Sequence, residues 1–450
     1  MAKNKTVYVC QNCGAESSKW IGHCPACKEW NSYREEIISH SPAVGLTKDT
    51  PRRKPELLSG IEVNDNDRIT TGIGEADRIL GGGMVKGSLI LMGGEPGIGK
   101  STLALQIALA TQGRKVLYVS GEESEGQVKL RAKRLEGKNE SCFIYNETEL
   151  ESVLTQAGAL NPDLLIIDSI QTLNSSLLES SAGSVSQVRE CAAMMLRYAK
   201  ESGVPVILIG HITKDGSLAG PKVLEHIVDV VLQFEGDGNY LFRILRPVKN
   251  RFGSTAEIGI FEMGSGGLRE VTDPSELFIR KDRDPASGVC IAATVDGLRP
   301  FMIETQALVS SAVYGTPQRS STGFDTRRLN MLLAVLEKRA GFRLGVKDVF
   351  LNIAGGLKVS DPAIDLAVIS AVLSSNLDVP VDHHTAFAGE VGLSGEIRPV
   401  ARIEQRIMEA SRMGFEQLIV SGYHRSIREQ AGIKISKVFK VEGLVRLLFS

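Results

Sequence analysis

Apolar runs of strand length recur through the middle of the chain, at residues 88–93, 115–120, 163–168, 204–211, 228–234 and 240–245. Continuous runs of this kind suit strands buried on both faces. Helix-forming stretches lie between them at residues 102–110, 127–135 and 187–200, the last with Val188, Ala192, Met195 and Leu196 near one face. Strands alternating with helices predict a parallel α/β sheet. Residues 71–80 read as a turn and a short helix, and residues 81–87 as a Gly-rich turn feeding the first strand. From about Asp273 the pattern changes. Residues 288–295 and 299–306 alternate like two strands around the turn Asp296-Gly297. Leu329, Leu332, Leu333 and Leu336 have helical spacing, residues 347–354 read as a strand, and residues 365–373 as an apolar helix. Residues 36–66 carry breakers and charges without either period, so they read as a linker. The expected organisation is a small N-terminal segment over 1–35, a linker over 36–66, an α/β domain over 67–272 and an α+β domain over 273–450.

A chain of 450 residues has room for two or three domains, and 42% hydrophobic residues can supply sizeable cores. At a net charge of −1, any affinity for nucleic acid must come from local patches. No stretch approaches the ~20 apolar residues of a membrane span, and the first residues lead into no apolar signal segment. Four of the seven cysteines cluster near the N-terminus, while Cys142, Cys191 and Cys290 are scattered. That distribution suits a reducing cytoplasm better than a disulfide framework.

The clustered four form two knuckles, Cys10-x-x-Cys13 and Cys24-x-x-Cys27, ten residues apart. Each knuckle turns two thiolates toward one point, and two knuckles make a tetrahedral Zn²⁺ site. About thirty residues cannot bury a core, so the metal would supply the folding energy. His23, beside Cys24, reads as a neighbour of the site and not a ligand. Lys19, Trp20, Lys28, Trp30 and Arg34 surround it. Basic groups interleaved with aromatics suit contact with nucleic acid or a protein partner. Packing of both tryptophans into the small ribbon is an equally open reading.

Between the strand at 88–93 and the helix at 102–110 stands Gly94-Glu95-Pro96-Gly97-Ile98-Gly99-Lys100-Ser101, the pattern G-x-x-x-x-G-K-S, with Thr102 opening the helix. Strand, glycine loop and helix are the context a phosphate-binding P-loop needs. The glycines let backbone N–H groups turn inward around phosphates, and the helix N-terminus adds its positive end. Lys100 would reach the β- and γ-phosphates of ATP, and the Ser101 hydroxyl would ligate Mg²⁺. Two strands end in carboxylates. Residues 115–120 run into Gly121-Glu122-Glu123, where a carboxylate beside a P-loop can activate water. Residues 163–168 end in Asp168, the Walker B pattern, which would hold Mg²⁺ through water. His211 closes a further strand, as a sensor of the γ-phosphate or a capping polar residue. The Ser- and Gly-rich stretch 175–186 reads as mobile. Lys249, Arg246 and Arg251 flank a hairpin-like turn.

The two knuckles with Trp30-Asn31, the loop 94–101, Tyr118-Val119-Ser120-Gly121-Glu122-Glu123 and Lys249-Asn250-Arg251-Phe252-Gly253 together resemble the bacterial RadA (Sms) family over nearly the whole chain. The resemblance implies an α/β, RecA-like P-loop ATPase core behind an N-terminal C4 zinc ribbon. It implies a DNA-dependent ATPase and ring helicase acting on single-stranded and branched DNA. The family drives branch migration of recombination intermediates alongside RecA, in the cytoplasm at the nucleoid. In cores of this class ATP lies between neighbouring subunits. By this analogy Glu122 takes the place of the catalytic glutamate, and Lys249 and Arg251 reach a neighbour's ATP or contact DNA. Stretches 175–186 and 212–221 fall where DNA-binding loops are placed, with Lys214 and Lys222 as phosphate contacts. A regulatory ATPase of the KaiC type, not driven by DNA, shares the core and the paired glutamates and is the alternative. Residues 273–450 resemble the proteolytic domain of Lon. There Ala363 stands where the serine nucleophile is expected and Glu404 where the lysine is expected, so a scaffold without peptidase activity is implied. Lon-type domains form hexameric rings, which implies a homohexamer. Arg319, Arg327, Arg328, Lys338, Arg339, Arg343, Lys347 and Lys358 are either a DNA-binding surface or a solvated face.

Overall fold

The computed structural model describes residues 5–11, 14–38, 57, 68–135, 137, 139–211, 222–236, 242–279, 286–312, 316–425, 427 and 432–450. Met1–Glu270 and Val271–Ser450 are two compact units. Among the described residues no helix is long and apolar enough to cross a membrane.

The N-terminal ribbon is a three-stranded antiparallel sheet of β1 (Lys5–Cys10), β2 (Glu16–Ser17) and β3 (Tyr33–Ile38), in the order β2-β1-β3. Strand β3 pairs Glu36 with Val7 and Ile38 with Lys5, so the ribbon continues past the boundary expected at residue 35. Residues 39–56 and 58–67 of the expected linker lie outside the described residues.

The first large sheet is assembled from a long series of elements. A short pair, β4 (Arg68–Ile69) and β5 (Met84–Val85), brackets α1 (Gly74–Ile79). There follow β6 (Leu89–Gly94), α2 (Lys100–Ala110), β7 (Val116–Ser120), α3 (Glu125–Arg134), β8 (Cys142–Asn146), α4 (Leu150–Leu160), β9 (Leu164–Asp168), α5 (Val185–Ser202), β10 (Val206–His211), α6 (Lys222–Ile227) and β11 (Val230–Glu235). Three antiparallel strands close the unit: β12 (Phe242–Asn250), β13 (Gly259–Gly264) and β14 (Gly267–Glu270). The nine strands run in the order β14-β13-β12-β11-β6-β10-β9-β7-β8. From β11 through β8 the pairings are parallel.

Strand β6 lies in the middle and is buried at every position. Its alternate residues enter two apolar clusters. Ile90 and Met92 pack with Leu103, Ile107 and Tyr118, while Leu89 and Leu91 pack with Val188, Met195 and Leu208. Each such aliphatic side chain stabilises the fold by ~1.5–3 kcal/mol. Two covered faces are why these strands read as unbroken apolar runs. Strand β8 and helix α4 were not legible in the sequence pattern. β8 sits on the sheet edge and buries none of its five residues fully.

The second unit is α+β. Helix α7 (Pro274–Phe278) precedes the hairpin of β15 (Val289–Asp296) and β16 (Arg299–Ser311). Next come β17 (Arg319–Thr322), α8 (Thr326–Ala340), β18 (Lys347–Ile353), α9 (Asp365–Leu377), β19 (Thr385–Ala388), β20 (Glu390–Val391) and β21 (Ile397–Arg398). Helix α10 (Ile403–Arg412), β22 (Gln417–Ser421), β23 (Lys434–Val438) and α11 (Val441–Phe449) complete it. Its main sheet has the order β17-β18-β16-β15-β19-β22-β23. Helix α9 is buried from Asp365 to Ser374, as the apolar run there requires.

Candidate nucleotide and metal sites

In an open parallel sheet, ligands bind beyond the carboxyl ends of the strands. Here β6, β7 and β9 deliver Gly94, Glu122 and Asp168 to one edge. The registers place Ser120 beside Asp168, and Gly94 beside His211. Gly97 and Gly99 have φ of 77° and 118°, a region that L side chains rarely adopt. A Cβ at Gly99 would also come within 2.9 Å of Met263 Cε, so that side chain would have to shift. The loop therefore turns on its own backbone and ends as α2 begins at Lys100.

Lys100 is buried, and its ammonium donates to Gly94 O at 2.8 Å and Glu95 O at 2.9 Å. Burial pushes its pKa down to about 8, although Asp168, Glu122 and Glu95 pull it upward. Ser101 Oγ donates to Asp168 Oδ1 at 3.1 Å. Tyr118 OH donates to Asp168 Oδ2 at 2.6 Å, and burial together with Asp168 raises the Tyr118 pKa well above its usual value. Arg131 Nη2 lies 4.0 Å from Asp168 Oδ2 and pairs with Glu123. A lysine, a hydroxyl and a carboxylate around a glycine loop are the donor set that fits ATP with Mg²⁺. Tyr118 and Arg131 were not legible as site residues, because their contacts join β7 and α3 to β9 across the sheet.

The paired glutamates separate. Glu123 goes to Arg131, while Glu122 is exposed and accepts from Ser169 Oγ at 2.6 Å. Glu122 is carried by Gly121, whose N–H donates to Asp168 O at 2.9 Å. A Cβ at Gly121 would fall inside contact distance of Thr172 Oγ1 and 2.7 Å from Thr172 Cβ. That threonine is held in place, because Thr172 Oγ1 donates to Ser169 O at 2.8 Å. Gly121→Ala is therefore expected to cost about 1–3 kcal/mol in urea unfolding. Adding Thr172→Gly, which removes both the hydroxyl and the Cβ that the new methyl would meet, should recover part of it. An unchanged stability in the single variant would contradict this close approach.

Lys249 and Arg251 do not join this cluster. β12 runs antiparallel, so the 249–253 motif falls at the opposite edge of the sheet. The Arg251 N–H donates to Asp229 O, and the Asp229 N–H to Leu89 O, at the start of β6. That is roughly 16 Å from Gly94 at about 3.3 Å per residue. Lys249 Nζ donates to Glu225 O at 2.6 Å and Val228 O at 2.7 Å. Desolvation, with Arg251 nearby, lowers its pKa. Arg251 pairs at 3.4 Å with the buried Asp229, which Lys200 also holds at 2.8 Å. Residues 242–250 are one continuous strand, so Arg246 and Lys249 lie on β12, while Arg251–Gly253 begin the bend that leads to its antiparallel neighbour β13.

The first half of the stretch 175–186, read in the sequence as mobile, is hydrogen-bonded to its surroundings. Gln187, buried on α5, accepts from Ser175 N and donates to the carbonyls of Ser175, Leu178 and Ser180. Glu151 accepts from Ser175 Oγ at 2.6 Å. Lys214 and the rest of 212–221 lie outside the described residues. Lys222 opens α6 and His211 closes β10, but the side chains of both lie outside the described residues.

In the ribbon, the sulfurs of Cys10, Cys24 and Cys27 lie within 4.8 Å of one another, with Cys10 and Cys27 at 3.7 Å. A tetrahedron with Zn–S bonds of ~2.3 Å has sulfur–sulfur edges of about 3.8 Å, whereas a disulfide needs ~2.05 Å. The thiols therefore fit Zn²⁺. Cys13 lies outside the described residues. The knuckle turns close with Gly14 N to Cys10 O and Lys28 N to Cys24 O, both at 2.8 Å. His23 is not in the thiol cluster; its ring lies 4.8 Å from that of Trp30. Trp20 and Trp30 are 54% and 71% exposed, so neither is packed into the ribbon.

In the second unit, Ala363 is fully buried in a short 3₁₀ turn. Asp361 Oδ2 accepts from Arg406 Nη1 at 2.6 Å, from Val295 N and from Thr294 Oγ1. Ala363 offers only a methyl group, and Asp361 is committed to an ion pair. Glu404 is exposed at the start of α10. The basic residues divide. Arg328 is tied to the buried Asp365, Arg319 to Asn330 and Lys347 to Asn376, so these serve the fold. Arg327, Lys338, Arg339, Arg343 and Lys358 are exposed.

Comparison with known proteins agrees with each part. Residues 8–35 match a family model described as a rubredoxin metal binding domain, 51–217 an AAA domain, and 305–423 subunit ChlI of Mg-chelatase. A KaiC-like protein of Pyrococcus horikoshii is similar in structure over 45% of this chain and 98% of its own, at 24% identity and a TM-score of 0.38, too slight a likeness to carry an argument. The DNA repair protein RadA of Bacillus subtilis is 49% identical over 93% of both chains. Its counterpart in Streptococcus pyogenes serotype M6 is 46% identical over 100% of both, and that of Brucella abortus 47% identical over 99% of this chain and 98% of its own. Similarity of this degree, running from the thiol ribbon through the P-loop sheet to the last helix, makes the chain a member of the DNA repair protein RadA family.

Proposed function

We propose that the chain is a DNA-dependent ATPase and helicase that processes recombination intermediates, promoting branch migration with RecA. It would act as a homohexameric ring on single-stranded and branched DNA in the cytoplasm, at the nucleoid. The observation that carries the reading is the division of one sheet into a phosphate-binding edge and a cationic edge. ATP with Mg²⁺ supplies the phosphoryl group to be hydrolysed. The backbone of Gly94, Glu95, Pro96, Gly97, Ile98 and Gly99, with Thr102, would cradle the phosphates. Lys100 would leave the carbonyls it now holds and neutralise charge on the β- and γ-phosphates. Ser101 and Asp168 would hold the metal, and Glu122 would accept the proton of the attacking water. Lys249 and Arg251, too far from their own loop, would serve a neighbour's nucleotide. Lys214 and Lys222 remain candidate DNA contacts, as do Lys249 and Arg251. The ribbon (1–35), linker (36–66), ATPase domain (67–272) and Lon-like domain (273–450) would divide the work, the last templating the ring without peptidase activity.

One observation favours the regulatory, KaiC-type alternative: residues 175–184 contain no Lys or Arg, only Glu179. Steady-state ATPase with and without single-stranded DNA separates the two. Strong stimulation is expected, and a rate indifferent to DNA would move the assignment to the regulatory ATPase. Lys249→Ala and Glu122→Gln are each expected to be inactive. Mixed in equal amounts they should recover activity, because about a quarter of head-to-tail interfaces then join two intact halves. No recovery would remove the across-interface role.

A further inference from the structure

We infer that Tyr118 and Arg131 are positioning residues that clamp one oxygen of Asp168 and so present the other to the metal, an inference that rests on the ATP·Mg²⁺ reading of the site. The two oxygens of Asp168 face different surroundings. Oδ1 meets Ser101 Oγ, the hydroxyl at the head of α2. Oδ2 accepts from Tyr118 OH at 2.6 Å, with Arg131 Nη2 at 4.0 Å. Tyr118 is fully buried in the middle of β7, within an apolar cluster that includes Leu103, Ile107 and Ile166. Phenylalanine would fill nearly the same volume there. The phenol oxygen has a purpose only through its partner, and its described hydrogen-bond partner is Asp168. Arg131 comes from α3, two turns beyond the Glu122-Glu123 pair, and its side chain is 14% exposed. Its Nε is buried with no hydrogen-bond partner among the described atoms, so the side chain is held there by Glu123 and the field of Asp168.

A carboxylate free to rotate would offer either oxygen. Clamping Oδ2 from behind fixes the rotamer and dedicates Oδ1 to the side where Ser101 stands. Partners of this outer kind tune metal affinity by ~10–100-fold. They act through Asp168 and touch neither nucleotide nor metal.

The test measures binding of a fluorescent ATP analogue to the full-length protein, with Mg²⁺ and with EDTA. In wild type Mg²⁺ should tighten binding. Tyr118→Phe and Arg131→Gln should each shrink that metal-dependent gain by about tenfold, with binding in EDTA unchanged and the melting temperature lowered by no more than about 2–4 °C. Arg131→Lys, which keeps the charge, should recover part of the gain. Two results would overturn the inference: a gain of wild-type size in Tyr118→Phe, or an equal loss with and without Mg²⁺, which marks damage to the pocket. If Tyr118→Phe does not fold, the two Arg131 variants decide alone. A wild-type protein whose binding ignores Mg²⁺, or an Asp168→Asn variant that behaves as wild type, would instead sink the underlying metal assignment.

Discussion

Lys100→Ala is expected to lower ATP turnover by about a thousandfold and leave the protein folded. The ammonium is the one side-chain cation within the loop 94–101. Its present partners are two carbonyls of that loop, and losing such bonds costs ~1 kcal/mol each. Alanine at the head of α2 offsets part of that through its helix propensity. Wild-type turnover in this variant would remove the P-loop assignment. The same amine gives a pH signature. Burial holds its pKa near 8 in the free protein. Contact with phosphate favours the charged form and raises it. The bound state then holds its proton more tightly than the free state, so nucleotide affinity falls as pH rises through about 8. Calorimetry near that pH, in buffers of different ionisation enthalpy, should register proton uptake. Proton release would mean that Lys100 is not the group meeting the phosphates.

Removing the metal is expected to unfold the ribbon while the two large sheets persist. Its one apolar cluster among the described residues is Cys10, Cys24 and Tyr33, with Tyr8, Ala15, Ile21 and Cys27 partly buried around it. Two of the three fully clustered residues are thiols of the metal site, and beyond that cluster only Val7 and Val9 are buried apolar residues among the described part of the ribbon. A structural Zn²⁺ contributes roughly 10–16 kcal/mol, which nothing else in so small a segment replaces. Both tryptophans of the chain, Trp20 and Trp30, lie here, so their indole N–H proton signals report on the ribbon alone. Chelation should collapse those two signals to random-coil positions and leave the main thermal transition in place. Indole signals indifferent to chelator would rule out a structural metal.

What the sequence made legible was what local pattern encodes. Strand β6 and Asp168 stand out because strands buried on both faces leave no polar interruption before the residue at their tip. The P-loop stands out because its glycines meet backbone needs that no other residue meets. Long-range pairing leaves no such trace. Arg328 looks like a surface cation until α9 brings Asp365 against it. Gln187 looks like an ordinary helical polar residue, yet it hydrogen-bonds to the backbone of Ser175, Leu178 and Ser180. Tyr118 looks like one more apolar position in β7 until β9 lies alongside and its hydroxyl finds Asp168. Helix α4 keeps Leu150, Val153 and Ala157 on a buried face, but Gly158 and scattered polar residues blur its period.

The separation of Gly94 and Arg251 to opposite rims of one sheet has a consequence for assembly. The rims are chemically unlike, so a contact that joins one to the other has a direction. A pair formed this way is unsymmetrical and leaves a lone acceptor at one end and a lone donor at the other. Adding copies only moves those ends apart, unless the turn between successive copies divides a full circle. Whether such a protein closes on itself or grows without limit is then set by an angle, however tightly each rim grips the next.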